Sequence, residues 1–287
     1  MIDWRQRFAA VMMGGRALPQ RINRRMETAM KFTVVMADPA GNRTAIVRSG
    51  VPKSERAKVA AAIMADPALR AEQVGFETRA LYGKSLGRLE MAGGEFCGNA
   101  ARSYGYLLCS EKEIDHCKIE ISGTREQLEV ICDLERETSA AQMPMPEKLE
   151  MAGEEAEGLY PLVISRGITH MICVDREFDE AFARRMIDKF GKGFSAFGVM
   201  FVNGDSLIPV VYVAETDTVC CESSCGSGSL AAAWYLTRDE KDGFHGYNFE
   251  QPGGTIIVNM AKRQGRYAGT VGGKLTLEEP VELEIED

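Results

Sequence analysis

Two cysteines stand out by their surroundings. Cys97 opens "CGNAARSYGYLL" and Cys225 opens "CGSGSLAAAWYL". Each precedes a glycine, then small residues, then aromatics one to two turns on, as if a helix began at the sulfur. They lie 225 − 97 = 128 residues apart in a chain of 287, close to half its length. A thiol at one helix mouth is open to several readings: packing, redox, a metal or catalysis. The mouth itself narrows them. Its first N–H groups lack intrahelical partners and carry a partial positive charge, which favours a thiolate and lowers its pKa. The same N–H groups can hold a carboxylate, and glycine beside the cysteine lets a ligand approach the backbone. Two such mouths facing each other would grip one carboxylate and set a sulfur on each side of the carbon bearing it. One sulfur would take a proton from one face of Cα and the other would return a proton to the opposite face. Like charges at close range favour one thiolate and one thiol in the pair. A lone cysteine at a helix start is more often only tolerated there; the matched pair carries the catalytic reading.

The elements around the cysteines repeat as well. "KFTVVMADPAGNRTAIV" reads as strand, turn, strand, with Phe32–Met36 and Thr44–Val47 flanking the turn signal "DPAGN". Ala57, Val59, Ala60 and Ile63 are spaced for one buried helix face across residues 53–67. "QVGFETRALYG" and "LGRLEMAGG" read as strands ahead of the Cys97 helix, and "KIEISGTREQLEVICDLERE" as a hairpin after it. From about Leu149 the cycle restarts. "EGLYPLVISRGITHMICVD" gives a strand pair, "DEAFARRMIDKFGK" a helix, and "FSAFGVMFVNGDSLIPVVYVAET" two strands around an Asn203–Asp205 turn; the Cys225 helix and closing strands complete it. This order predicts an internal duplication into two α/β domains of similar size.

Composition removes other function classes. The net charge is −8, with no concentrated basic stripe, which argues against nucleic acid. No apolar run approaches membrane-spanning length. Eight cysteines and three histidines form no CxxC pair or tight ligand pairs, so no metal site is expected. Most of the cysteines read as buried and reduced, and a cytoplasmic protein is expected. Residues 1–31 are basic and read as an N-terminal extension, an appended arm or a start placed too early, with Met26 and Met30 just before the first strand.

Taken together, the motifs resemble the diaminopimelate epimerase superfamily. "EFCGNAARSYGYLL" and "SSCGSGSLAAA" look like its two catalytic-cysteine segments, "DPAGNRTAIV" like its substrate turn, and "QPGGTIIV" like its proline-glycine-glycine strand start. They occur in family order over about residues 31–275. The closer likeness, in "EQVGFET", "GGEFCGNA", "ESSCGSG" and "FEQPGGTIIV", is to the histidine racemase branch that opens staphylopine-type metallophore biosynthesis. The resemblance implies an α/β (α+β) fold of two pseudo-symmetric domains, each a barrel-like, mainly antiparallel sheet around a central helix, with the site between them. The boundaries expected are 32–148, with a C-terminal strand at about 276–287, and 149–275. It implies a cofactor-independent isomerase acting on a small amino acid, histidine first, with Cys97 and Cys225 as the two bases. Asn42, Glu72, His170 and Glu222 would line the substrate, and the N–H groups of Gly98, Asn99, Gly226 and Ser227 would hold its carboxylate. Family members are often dimers, so a homodimer is expected. The segment "VCCESSCGSG" is short and lacks the arginine with which epimerases bind a distal carboxylate, and the epimerase asparagine before "MAGGEF" is unmatched. Both departures favour a single-headed amino acid. Diaminopimelate epimerase, a racemase of another amino acid, and an amino-acid-binding protein with an inactive site are the alternatives.

Overall fold

The first strand forms where β-branched residues cluster. In the structure, a computed structural model that describes residues 30–48, 50–155, 158–214 and 217–285, β1 (Met30–Asp38) turns and returns as antiparallel β2 (Thr44–Val47). The Gly41 N–H closes the turn on Asp38 Oδ1 at 2.6 Å, with Gly41 at φ 81°. The predicted extension at residues 1–31 lies outside the described residues apart from Met30 and Lys31. Helix α1 (Arg56–Ala65) crosses to β3 (Gln73–Thr78), parallel to β2, and β4 (Arg88–Met91) runs antiparallel to β3. Helix α2 (Gly98–Lys112) crosses to β5 (His116–Ile121), parallel to β4; β6 (Leu128–Asp133) and β7 (Thr138–Met143) continue as an antiparallel meander.

The same pairing rule then runs again. After β8 (Lys148–Glu154), a hairpin partner, β9 (Gly158–Ser165) and β10 (Ile168–Val174) pair antiparallel. Helix α3 (Glu180–Met186), continued by a π-helical turn at Ile187–Gly191, crosses to β11 (Ala196–Asn203), parallel to β10. Strand β12 (Ser206–Val213) is antiparallel to β11 and carries the short β13 (Thr218–Cys221). Helix α4 (Gly226–Thr237) crosses to β14 (Gly243–Gln251), parallel to β12; β15 (Gly254–Arg263) and β16 (Arg266–Lys274) complete the meander. The last strands of the two cycles, β7 and β16, pair with each other, Ala141 opposite Val271. Strand β17 (Thr276–Leu277) returns to β1, and β18 (Val281–Ile285) is the last strand among the described residues.

The duplication expected from the sequence is thus visible in the connectivity, inside the unit formed by residues 31–283. Helix α2 packs on β2, β5, β6, β7 and β16, and α4 on β9, β10, β11, β14, β15 and β16. Each helix is buried because its small residues let the sheet come close: Ala100 and Ala101 in one, Ala231, Ala232 and Ala233 in the other. Along β10 and β11, residues alternate between the α4 core (Ile172, Met200, Val202) and the α3 core (Met171, Cys173, Phe197, Val199, Phe201). Burial on both faces explains why these strands read as near-continuous apolar runs. Strands β7 and β8 are not evident from the sequence. "TSAAQM" has little strand propensity, and β7 is a strand because β6 and β16 both pair with it.

Candidate active site

Each predicted cysteine is the N-cap of its helix. Cys97 has φ −132° and ψ 117°, and Cys225 has φ −126° and ψ 102°, the same extended entry into α2 and α4. The Cys97 sulfur accepts from the Ala100 N–H at 3.4 Å, the bond a serine cap would make. The Cys225 sulfur lies 3.5 Å from Ser227 Oγ, and that hydroxyl lies 3.3 Å from His170 Nε2. His170 is fully buried, its Nδ1 has no partner among the described residues, and burial pulls its pKa down to about 3, so the ring is neutral.

The two mouths meet through side chains of both repeats. Asn99, buried at the start of α2, donates through Nδ2 to Ser224 Oγ, beside Cys225, and to Asn42 Oδ1, each at 3.3 Å. A Cβ on Gly226 would stand 3.6 Å from Asn99 Oδ1. Asn42 Nδ2 donates to Glu72 Oε2 at 3.0 Å, and Glu72 Oε1 accepts from Ser223 Oγ at 2.9 Å. Gly98, Asn99, Gly226 and Ser227 are the first helical residues of α2 and α4, where backbone N–H groups have no intrahelical acceptor. Asn42, Glu72, Gln73, Asn99, Ser223 and Ser224 form one hydrogen-bonded set and Cys225, Ser227 and His170 a second, and the two adjoin where Ser224 precedes Cys225.

The electrostatics correct one expectation. A helix mouth should lower a thiol pKa, yet desolvation opposes it at both, at the buried Cys225 and at the half-buried Cys97. It pushes Cys97 up to about 11, with Glu95 and Glu222 adding to it against the Ala100 N–H and the Gln73 amide. It pushes Cys225 well above its ordinary value, aided by Glu222 and opposed by Ser227 and the Gly228 N–H. Burial also lifts Glu222 to about 7, with Glu72 adding to the rise and the Cys225 bond opposing it. A positive charge brought close to either sulfur would oppose this shift.

Two supporting residues lie inside the sequence motifs but carry no signal of their own there. Gln73, next to Glu72, donates to Asn42 Oδ1 and Thr44 Oγ1 at 2.7 Å each and bonds the Cys97 sulfur. Gln251, in "EQPGG", accepts from the Cys225 N–H at 2.8 Å and donates to Ser229 Oγ at 2.7 Å. Cys220 and Cys221 lie in β13, as expected of strand residues. Among the described residues no group of three or more His, Cys, Asp or Glu is arranged to hold a metal, and no helix is long and apolar enough to cross a membrane. A pocket of about 410 Å³ lined by Lys84, Ile114, His116, Lys118 and Ile131, among others, includes none of the site residues.

The fold has known counterparts. Solved structures share the fold at low identity. A hydroxyproline epimerase from Agrobacterium vitis matches with a TM-score of 0.63 at 13% identity, covering 90% of this chain and 93% of that one. A phenazine biosynthesis protein of the PhzF family from Bacillus anthracis matches at 0.67 and 13%, covering 89% and 100%. A histidine racemase of Fusobacterium nucleatum is 34% identical over 220 residues, 71% of this chain and 81% of the relative. A histidine racemase of Staphylococcus aureus is 27% identical over 256 residues, 83% and 92% of the two chains. The family model described as the histidine racemase CntK N-terminal domain matches residues 30–282. The chain belongs to the histidine racemase family.

Proposed function

We propose that this protein interconverts L- and D-histidine, with Cys97 and Cys225 as its two bases. The observation that carries the reading is the pair of cysteine N-caps in equivalent positions of the two repeats, joined across the gap by the Asn99–Ser224 bond. The N–H groups of Gly98, Asn99, Gly226 and Ser227 hold the α-carboxylate and take up charge as the α-carbon loses its proton. One sulfur, as thiolate, removes the α-proton and becomes a thiol. The opposite thiol gives its proton to the other face of the carbon and becomes a thiolate. The product is the mirror image, and no cofactor enters the sequence of steps. The substrate ammonium supplies the positive charge that the half-buried Cys97 sulfur and the buried Cys225 sulfur need. Glu72, held by Asn42 and Ser223, and Glu222 give a side chain with ring N–H groups two carboxyls to bond. We assign residues 32–148, with the strand at about 276–287, and residues 149–275 to two domains, the enzyme to the cytoplasm, and the assembly to a homodimer.

The test is hydrogen exchange. Purified, reduced protein is incubated with L-histidine in heavy water and deuterium at Cα is monitored, along with the appearance of D-histidine. Cys97→Ser and Cys225→Ser are each expected to abolish racemisation. Absence of exchange with histidine would sink the substrate assignment. A fully active serine variant would sink the two-base mechanism.

A further inference from the structure

Strands β14, β15, β16, β7, β6 and β5 pair side by side across the seam of the two repeats. Their inward residues, Phe249, Val258, Val271, Ala141 and Val130 among them, belong to the cores around α4 and α2. The alternate residues point outward. One outward row reads Asn248, Ile257, Gly272, Ala140 and Ile131 from strand to strand. The next reads Gly246, Asn259, Thr270 and Gln142, and a third Phe244, Ala261 and Ala268. Helix α1 packs on β3 and the helical turn after α3 on β11, and this face keeps Phe244 92%, Ile131 61% and Ile257 37% exposed. None of its twelve positions is charged. Charged residues make up 26% of the chain, so about three would be charged at that frequency alone. A sheet face turned to water is normally the polar one.

Charge returns at the rim. Lys118 and Glu129 pair at 2.9 Å on β5 and β6, Glu250 stands near the end of β14, and Arg263 and Arg266 flank the β15–β16 turn. A centre depleted of charge inside a polar rim is the anatomy of a protein interface. With its rim the face presents about 20 residues, the size of one side of a standard interface of roughly 800 Å² per partner. Its two ends differ in shape. Phe244 projects at the β14 end. At the β5–β6 end lies the pocket of about 410 Å³, with Leu86, Ile114, Val130 and Ile131 among its walls.

We propose that this face docks a second copy of the chain, with Phe244 of each copy seated in the other's pocket. Turning one copy over about an axis along the seam lays its β14 across the β5 and β6 of the other, and the reverse, as a two-fold interface requires. Knob and hollow then meet twice. The net charge of −8 selects this occupant: two copies repel over most of their surface and meet at least cost where charge is absent. A partner of opposite charge would find no complement in a neutral face. The inference rests on the homodimer assigned above and names the surface that makes it.

The test is sedimentation velocity of the full chain, with thermal unfolding as the check on folding. The wild type is expected to be a dimer. Phe244→Asp and Ile257→Lys, both at exposed positions, are each expected to weaken it by about 100-fold or more. Leu159→Asp changes an exposed apolar residue on β9, outside the face, and is expected to leave the dimer intact. Phe244 replaced by the photoreactive p-benzoylphenylalanine is expected to cross-link to residues 114–131 of a second copy, read by peptide mass spectrometry. Folded face variants that remain dimers overturn the proposal and leave the homodimer standing. A monomeric wild type overturns both. A cross-link within one chain, residues 1–29 included, names another occupant and overturns the proposal, as does one to a different segment of the second copy. If a face variant does not fold, the cross-link decides.

Discussion

Gln251→Leu tests how the second cysteine is held, without any assumption about substrate. Gln251 ends β14 and is 8% exposed. Its Oε1 accepts from the Cys225 N–H at 2.8 Å, its Nε2 donates to Ser229 Oγ at 2.7 Å, and Ser229 Oγ donates to the Cys225 carbonyl at 2.7 Å. The three bonds close a ring around the Cys225 peptide. Leucine keeps the bulk and removes both amide contacts. The Cys225 N–H is then buried without an acceptor, at about 1–3 kcal/mol, and the lost bond to Ser229 adds about 1 kcal/mol. The sum, about 2–4 kcal/mol, corresponds to a fall in melting temperature of about 3–7 °C at the unfolding entropy of about 0.6 kcal/mol/K that a chain of this size carries. Gln251→Glu keeps an acceptor for the Cys225 N–H but buries a carboxyl, so its fall should be smaller than that of leucine only at a pH where the carboxyl is protonated. Thermal unfolding monitored by circular dichroism measures both. A leucine variant that melts within a degree of the wild type would refute the idea that this ring fixes the sulfur's position.

Other consequences can be checked with the same preparations. A Cβ on Gly228 would stand 2.2 Å from Met200 Sδ and 3.3 Å from Cys225 Sγ, so Gly228→Ala should cost about 1–3 kcal/mol, and in urea titrations the double variant with Met200→Ala should lose less than the sum of the two single losses. Gly41 has φ 81° and a Cβ there would meet Gly253 Cα at 2.6 Å; Gly41→Ala should destabilise by about 1–3 kcal/mol or more, and an unchanged urea midpoint would show that the close contact of these turns contributes nothing. Glu222 is raised from 4.5 to about 7 by burial. Its protonated form therefore stabilises the fold fully below about pH 4.5, and that contribution is lost as pH rises through about 7. Glu222→Gln should lack this loss, and stability–pH curves that run parallel for the two proteins would contradict the raised value.

The parts of the fold legible in the sequence were those where local chemistry and tertiary packing agree. The turn at "DPAGN", the Asn203–Asp205 hairpin and both cysteine-capped helices carry their own turn and cap residues. Double burial of β10 and β11 left unbroken apolar runs that still read as strands. Strand β7 was invisible because Ser139, Ala140 and Gln142 say nothing about pairing; its neighbours impose it. At the site, the cysteines were legible because they recur at one spacing. Gln73 and Gln251 were not, since an amide that supports a cap looks like any polar residue until the strand that carries it is placed. Nor could the sequence show that burial outweighs the helix charge on both sulfurs, because that balance depends on how much sheet surrounds each mouth.

The seam between β7 and β16 has a consequence for how such a site arises. The two strands are equivalent, each the last of its repeat, and they pair antiparallel. Exchanging the repeats maps that pairing onto itself, as a two-fold axis does. A half-length ancestor with one repeat would offer the same edge to a second copy and build its site from two identical mouths. There, both sulfurs would sit in the same surroundings, and neither would be marked as base or acid. Gene fusion breaks that constraint: once both mouths lie in one chain, a mutation reaches one and spares the other. In this chain the fifth residue after each cysteine already differs, Arg102 in one helix and Leu230 in the other.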